Sequence, residues 1–189
     1  MEAEFIRDVK GTELYQEFMK LLIKNCYRKA ANDSDDLSNQ NAACLIDCIG
    51  VISVPVANMI PPTVEKKEER IKVRPTKYDF IEHAERGAIY DAARKGICLE
   101  GATMICPWVA CSDCSRAIVL SGIKTVVTHK QRNEMTSLGR DKIVDVTTDR
   151  WVKPISNGMI ILQEGGVEVI EIDFKAGMKV LINEQLMEV

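Results

Sequence analysis

The sequence predicts a single α/β domain in which helices alternate with the strands of a partly parallel sheet. Its 189 residues, 46% of them hydrophobic, suffice for one sizeable core. The middle of the chain then alternates in pattern, with helical spacing over residues 81–95 and 112–121 and short apolar runs over 102–106 and 125–128. This alternation is typical of parallel strands joined by right-handed crossovers.

Further elements flank this centre. Residues 14–30 carry apolar side chains at helical spacing and predict an amphipathic helix. Two short apolar runs, 42–46 and 50–54, surround a turn and predict a β-hairpin. Near the C-terminus, residues 151–164 predict a helix that Gly165-Gly166 closes, and a strand follows over 167–172.

Two segments fit this alternation less well. The charged stretch at about 60–78 contains no cysteine or histidine and predicts an insertion, either a solvated loop or a short surface helix. The tail at about 173–189 predicts a C-terminal extension of mixed character. We expect one domain over residues 1–189 that includes both segments.

Charge and cysteine content narrow the class of function. The formal net charge of −3 argues against a nucleic-acid binder, which usually carries a basic face, and favours a small-molecule enzyme. The first ten residues lack an apolar signal core, and no run reaches membrane-spanning length, so a cytoplasmic location is expected. Five of the seven cysteines fall mostly in apolar segments and predict buried thiols in a reducing compartment: Cys26, Cys44, Cys48, Cys98 and Cys106.

The segment with the clearest chemistry runs from His83 to Cys114. His83 is followed at i+2 by Glu85, and Cys111 lies 26 positions after the glutamate (111 − 85) and opens a C-x-x-C pair. One imidazole and two thiolates suit a catalytic zinc ion whose fourth position stays open for water. Either half alone is common, since a lone C-x-x-C can be a redox pair or two packed thiols. Together they are the pattern of the zinc nucleobase deaminases.

Both halves of this pattern precede predicted helices. A helix N-terminus carries partial positive charge, which favours thiolate and hydroxide over their protonated forms. Zinc makes hydroxide available at neutral pH, and Glu85 is placed to take the water proton, pass it to the ring nitrogen and protonate the departing ammonia. The backbone N–H of Ala84 is a candidate to hold the ring carbonyl.

Residues 77–96 and 101–123 carry a specific resemblance to the deoxycytidylate (dCMP) deaminase family, within the cytidine deaminase superfamily. The first block, KYDFIEHAERGAIYDAARKG, resembles the helix that bears the zinc-ligand histidine and the catalytic base. The second, GATMICPWVACSDCSRAIVLSGI, is similar to the strand, loop and helix that bear two cysteine ligands. The resemblance implies a cytidine deaminase-like three-layer α/β/α fold with a mixed central sheet of about five strands.

The resemblance also implies a function. His83, Cys111 and Cys114 would bind Zn²⁺, and Glu85 would shuttle protons. The expected reaction is zinc-dependent hydrolytic deamination of dCMP to dUMP and ammonia, which supplies thymidylate synthesis. Similar family members are often hexamers that dCTP activates and dTTP inhibits with Mg²⁺, so we expect a homo-oligomer with nucleotide effectors.

Further binding residues are expected around the base and the sugar. By the resemblance, Asn58 would hydrogen-bond the sugar 3′-hydroxyl. His129 or Trp108 is a candidate to stack on the base, although Trp108 equally suits the core. The resemblance implies that Arg94 is an allosteric arginine. The alternative is that it is simply a solvated arginine on a helix.

Three departures from the family pattern affect the expectations on substrate preference and regulation. Gly87 replaces the usual asparagine, Ala110 replaces the usual proline, and Ala42 replaces a glycine. None of them removes a ligand or the base. Two alternatives therefore remain open: a polynucleotide deaminase acting on transfer RNA or single-stranded DNA, and a nucleotide-binding regulator that has lost catalysis. The negative charge and the 5% aromatic content disfavour the first.

Overall fold

The computed structural model describes residues 11–135 and 151–189, which form a five-stranded mixed sheet with helices on both faces, together with a small separate hairpin. The spatial order of the sheet is β2-β1-β3-β4-β5. Its strands are β1 (Ala42–Ile46), β2 (Val56–Ala57), β3 (Thr103–Ile105), β4 (Thr125–His129) and β5 (Glu168–Ile172). Residues 1–10, where the sequence predicts no apolar signal core, lie outside the described part.

Strand direction confirms the predicted mixed α/β sheet. β1 pairs antiparallel with both β2 and β3, with Cys44 opposite Ile105. β3 pairs parallel with β4, and β4 pairs parallel with β5, with Met104 opposite Val126. The carboxyl ends of β3 and β4 therefore meet at one edge of the sheet, where ligands of open α/β sheets usually bind.

The helices form two layers around the sheet. They are α1 (Glu13–Asp33), α2 (Glu68–Lys72), α3 (Lys77–Phe80), α4 (Ala84–Lys95), α5 (Ser112–Leu120), α6 (Lys130–Glu134) and α7 (Val152–Glu164). Alternate residues of β1 separate the layers, as the period of a strand requires. Cys44 packs in the cluster of α1, and Leu45 packs in the cluster of α4, α5 and α7. Among the described helices, none has the length and apolar character needed to span a membrane.

The predicted second strand of the hairpin was wrong. Residues 50–54 contribute only an isolated bridge between Ile52 and Ile46, and β2 begins at Val56. The carboxylate of Asp47 accepts the N–H groups of Ile49 and Val51 and closes a turn. Pro55 lacks a donor and interrupts pairing, so the apolar side chains of this segment lie exposed instead of joining the sheet.

The two segments that the sequence left open acquire definite structure. The charged stretch contains α2, which has no buried residue, and α3, which precedes the His83 segment. The tail forms a hairpin of β6 (Lys179–Ile182) and β7 (Gln185–Glu188). Val180 and Ile182 of this hairpin pack in the α1 cluster, and Gln40 exchanges hydrogen bonds with Leu181.

Candidate metal centre

The three predicted metal ligands come together between two helix starts. His83 has extended backbone angles (φ −72°, ψ 146°) and is the N-cap of α4, so this helix begins three residues later than the sequence predicts. Cys111 is the N-cap of α5, and Cys114 lies in its first turn. His83 Nδ1 lies 3.6 Å from Cys111 Sγ and 3.5 Å from Cys114 Sγ, and all three donor atoms lie within 4.8 Å of one another.

This donor set fits zinc in chemistry and in size. Tetrahedral zinc, with Zn–N near 2.0–2.1 Å and Zn–S near 2.3 Å, places each nitrogen–sulfur pair about 3.5 Å apart. The two observed nitrogen–sulfur distances, 3.6 and 3.5 Å, match that spacing. Among the described residues, this is the only group of three or more histidine, cysteine or acidic side chains arranged to hold a metal. The three side chains could therefore hold a zinc ion with a fourth position left for water.

The electrostatics favour thiolate at Cys111, whereas the hydrogen bond with Cys111 and burial raise the pKa of Cys114. Hydrogen bonds from Cys114 and His83 to the Cys111 thiolate lower the pKa of Cys111 to about 4. Arg86 adds positive charge, because its Nη1 lies 3.5 Å from Cys114 Sγ while its Nη2 pairs with the carboxylate of Glu82. Thiolate is the form that binds metal, so the site is prepared for a cation.

Glu85 lines the same pocket as His83 and Cys111, but it is not part of the ligand group. Its side chain is only 3% exposed. Burial raises the pKa of Glu85, and the neighbouring charge of His83 partly opposes that effect. A carboxyl whose pKa is raised toward neutrality is suited to take up and release a proton.

Asn58 connects β2 to the start of α4. Its Oδ1 accepts the N–H of Ala84 at 2.9 Å, and its Nδ2 donates to the carbonyl of Asn39 at 3.0 Å. Asn58 therefore lines the pocket with a fixed orientation. The N–H of Ala84 is engaged by this side chain, which contradicts the expectation that it is available to a ring carbonyl.

An aromatic wall faces this polar side. Trp108 and Trp151 both line the pocket, with ring centroids 5.7 Å apart and planes at 68°. The Trp151 ring lies 5.6 Å from that of His83. Gly158 lets helix α7 pack close against the loop that precedes α5, since a Cβ there would lie 2.5 Å from the carbonyl oxygen of Ala110.

The remaining wall is polar and comes from the segment before β1. It consists of Asp36, Asn39 and Asn41, together with Asn58. Asp36 Oδ1 accepts the N–H groups of Ser38 and Asn39 and also pairs with Lys77 Nζ at 2.8 Å. The Lys77 side chain is almost fully buried, so a residue of the charged stretch holds the pocket wall from behind.

Two predicted residues lie away from the pocket. His129 is fully buried, and both of its ring nitrogens are occupied, Nδ1 by the Tyr27 hydroxyl at 2.6 Å and Nε2 by the Phe174 carbonyl at 2.8 Å. It does not line the pocket, so it is not available to stack on a base there. Arg94 is exposed on α4 and pairs with Asp91 at 2.8 Å.

Gly87, one departure from the family pattern, has a packing reason. Its Cβ position would lie 3.0 Å from Cγ1 of Val56, so α4 packs close against β2 at this residue. A larger residue would require the Val56 side chain, two residues before Asn58, to move by a few tenths of an ångström.

Four polar or aromatic pocket residues escaped the sequence analysis: Trp151, Asp36, Asn39 and Asn41. The signal for Trp151 was its place as the first residue of a predicted helix. The signal for the others was the run of amides and carboxylates leading into the first strand, which suggested only a polar turn. Their position in the pocket depends on tertiary contacts, which local patterns do not report.

Three comparisons place the chain among known proteins. The model of the cytidine and deoxycytidylate deaminase zinc-binding region matches residues 13–130. The deoxycytidylate deaminases of enterobacteria phages T2 and T4 are each 53% identical over 45 residues, which is 24% of this chain and 24% and 23% of theirs. The chain thus matches about a quarter of the length of these relatives.

A solved structure supports the fold over a greater length. The dCMP deaminase of cyanophage S-TIM5 superposes with a TM-score of 0.56 at 21% identity, over 85% of this chain and 97% of that one. At this identity the likeness establishes the cytidine deaminase-like fold. The family model covers more than half of the chain and includes His83, Glu85, Cys111 and Cys114. The chain belongs to the family defined by the cytidine and deoxycytidylate deaminase zinc-binding region.

Proposed function

We propose that this protein is a zinc-dependent enzyme that hydrolyses the exocyclic amine of a free cytosine nucleotide, converting dCMP to dUMP and ammonia. One observation carries the proposal: a buried carboxyl, Glu85, shares a pocket with His83 and Cys111, two of the three side chains that could hold the metal. The phage relatives are named deoxycytidylate deaminases, and the cyanophage enzyme was solved in complex with dCMP and dUMP. Both support the choice of base and phosphate.

In this proposal His83, Cys111 and Cys114 hold the zinc ion. A bound zinc ion would lower the pKa of a water molecule and so supply a nucleophile at neutral pH. The oxygen of the attacking water bonds to the ring carbon that carries the amine, and the Glu85 carboxylate would take one proton of that water and deliver it to the neighbouring ring nitrogen. Glu85 then carries the second water proton to the departing amine, so the C–N bond breaks, a C=O bond forms and ammonia leaves.

The other pocket walls orient the substrate. Trp108 and Trp151 flank the space beside the metal ligands and offer flat apolar surfaces to a pyrimidine ring. Asn58 is held by Ala84 and Asn39, and the second hydrogen of its Nδ2 would donate to the sugar.

The decisive experiment combines a substrate panel with one isosteric variant. Ammonia release is measured from zinc-loaded protein with dCMP, CMP, dCTP, deoxycytidine and a cytosine-containing DNA strand. Glu85→Gln should retain zinc and lose turnover by at least about a hundredfold, because it removes the proton carrier. Glu164→Gln, an exposed residue at the end of α7, is the matched control and should match wild type.

The outcomes separate the three functional readings. Turnover of dCMP that far exceeds turnover of the other substrates supports the proposal. Turnover of the DNA strand alone would identify a polynucleotide deaminase, and silence on every substrate with zinc bound would favour a nucleotide-binding regulator. Thymidylate supply, a hexamer, control by dCTP and dTTP with Mg²⁺, the role of Arg94 and a cytoplasmic location stay predictions from the sequence.

A further inference from the structure

Arg132 is a buried cation that the proposed chemistry does not use. It lies on α6 and is only 1% exposed. Its Nη1 and Nη2 atoms have no hydrogen-bond partner among residues 11–135 and 151–189. Burial lowers the pKa of Arg132 to about 10, which leaves it charged at neutral pH. Burying a guanidinium whose two terminal nitrogens lack hydrogen bonds is unfavourable, so other interactions must offset part of the cost.

One such interaction joins the guanidinium of Arg132 to Trp108 in the aromatic wall of the pocket. The guanidinium carbon of Arg132 lies 4.3 Å from the centroid of the Trp108 ring. A flat guanidinium over an indole face gains cation–π attraction, which is strongest where water is excluded. Trp108 in turn contacts Trp151, and Trp151 contacts His83. Arg132 therefore lies at the far end of an aromatic row that leads to the metal ligands.

The surrounding backbone shows that α6 and the end of β4 hold the Trp108 loop as a unit. The Thr128 hydroxyl and the His129 N–H both donate to the carbonyl of Pro107, at 2.9 and 3.0 Å. The N–H of Val109 donates to Asn133 Oδ1 at 3.0 Å. Residues on both sides of Trp108 are thus fixed through the backbone, and Arg132 supplies the contact to its ring.

We propose that Arg132 is a positioning residue whose guanidinium holds the Trp108 indole in place as the wall against which the pyrimidine ring of the substrate binds. The identity of that ring rests on the proposed function; the hold on Trp108 does not. Arg132 is predicted to affect substrate binding through Trp108 without touching the substrate. Lysine cannot replace it fully, because a compact ammonium does not stack as a planar guanidinium does.

The test uses the fact that the chain has two tryptophans and both line the pocket, so their fluorescence reports on it directly. The variants are Arg132→Met, which removes the charge, and Arg132→Lys, which keeps it. Arg70→Met is the matched control, since Arg70 lies at the same 4.3 Å from an aromatic ring, that of Phe80, on α2 instead of at the pocket. Tryptophan emission and its quenching by acrylamide are measured in zinc-loaded protein without substrate. KM and kcat for dCMP, and Kd for dUMP, are measured separately.

Arg132→Met should shift the emission, increase quenching, and raise KM and the dUMP Kd about tenfold, which is a loss of about 1.4 kcal/mol, with kcat changed less than about threefold. A higher KM with a nearly unchanged kcat indicates that the ground state and the transition state lose the same binding energy. Arg132→Lys should fall between, and Arg70→Met should match wild type. If Arg132→Met does not fold, Arg132→Lys provides the same comparison.

A fall in melting temperature with unchanged emission, quenching and KM would make Arg132 an ordinary core residue and overturn the proposal. The emission comparison needs no substrate. Absence of turnover would therefore count against the proposed function while the hold on Trp108 is still decided by fluorescence.

Discussion

His83 and His129 are the two histidines of the chain, and they show how differently one side chain is used at two places in the same fold. His83 caps α4 and directs Nδ1 toward two cysteine sulfurs. His129 ends β4 and has a hydrogen-bond partner at each nitrogen. A carbonyl oxygen can only accept, so Nε2 of His129 carries the hydrogen and Nδ1 accepts from the Tyr27 hydroxyl.

The difference lies in the partners. The partners of His83 are soft, ionisable thiols whose sulfur atoms lie close to its Nδ1, so the group can bind a metal. Those of His129 are the neutral hydroxyl of Tyr27 on α1 and the carbonyl of Phe174, two residues after β5, so it joins three parts of the fold. Burial lowers the pKa of His129, which keeps the ring neutral as this arrangement requires. The pairs of partners, not the residue type, separate a metal ligand from a structural residue.

The largest expected effect comes from removing each histidine in turn. His83→Ala should reduce zinc from about one ion per chain to a small fraction, because two thiolates alone cannot complete the site. Its turnover should fall by more than about a hundredfold. A loss of up to about a hundredfold can follow from removing only a residue that orients a metal ligand, and here the ligand itself is removed. His129→Gln should keep its zinc. Metal analysis after dialysis against a weak chelator, with an ammonia-release assay, measures both.

Equal zinc loss in the two variants would remove the distinction between the histidines. Retention of stoichiometric zinc by His83→Ala would show that the metal site lies elsewhere. Circular dichroism of each variant provides the control for folding.

A smaller effect is expected from Tyr27→Phe, which removes only the hydroxyl that donates to His129. The variant leaves Nδ1 buried without a donor, at a cost of about 1–3 kcal/mol. For a chain of this size, that lowers the melting temperature by roughly 2–4 °C per kcal/mol. Zinc content should stay at the wild-type level. Tyr90→Phe, whose ring is 54% exposed on α4, is the matched control and should melt with wild type. Zinc loss in Tyr27→Phe would show that the hydrogen bonds of His129 affect the metal site, which contradicts the separation of the two histidines into a metal ligand and a structural residue.

Sequence reasoning succeeded where the site is built locally. The grouping of His83, Cys111 and Cys114 was predictable from the H-x-E and C-x-x-C pattern, because each half of the pattern is short and lies at one helix start. The mixed α/β sheet was predictable from the alternation of apolar runs and helical stretches, and the structure confirms it.

It failed where position depends on distant partners. His129 follows a predicted apolar strand, a position from which a side chain can reach the edge of the sheet. In the structure its two ring nitrogens are instead bound by Tyr27 and Phe174. Trp151 lies 68 residues after His83 (151 − 83), and only the packing of α7 brings the rings together. Residues 50–54 are apolar but exposed, so the rule that apolar runs are buried gave the wrong strand.

The smallest expected effect is a pH dependence that belongs to His129. Its pKa is lowered in the folded protein below the ordinary 6.5, chiefly by burial. In acid the unfolded chain therefore binds more protons than the folded one, so this contribution to stability is complete above about pH 6.5 and is lost as the pH falls toward the folded pKa. The slope cannot exceed about 1.4 kcal/mol per pH unit for one group.

Melting temperatures of zinc-loaded wild type and His129→Gln, taken between pH 7.5 and 5.5, measure this pH dependence. We expect a shallower decline in His129→Gln, although its melting temperature at pH 7.5 is lower. The decline that remains in the variant comes from the metal ligands and the carboxyl groups. Parallel declines would show that the pKa of His129 is the same in the folded and the unfolded chain, and the neutral, doubly hydrogen-bonded state could not then be what distinguishes it from His83.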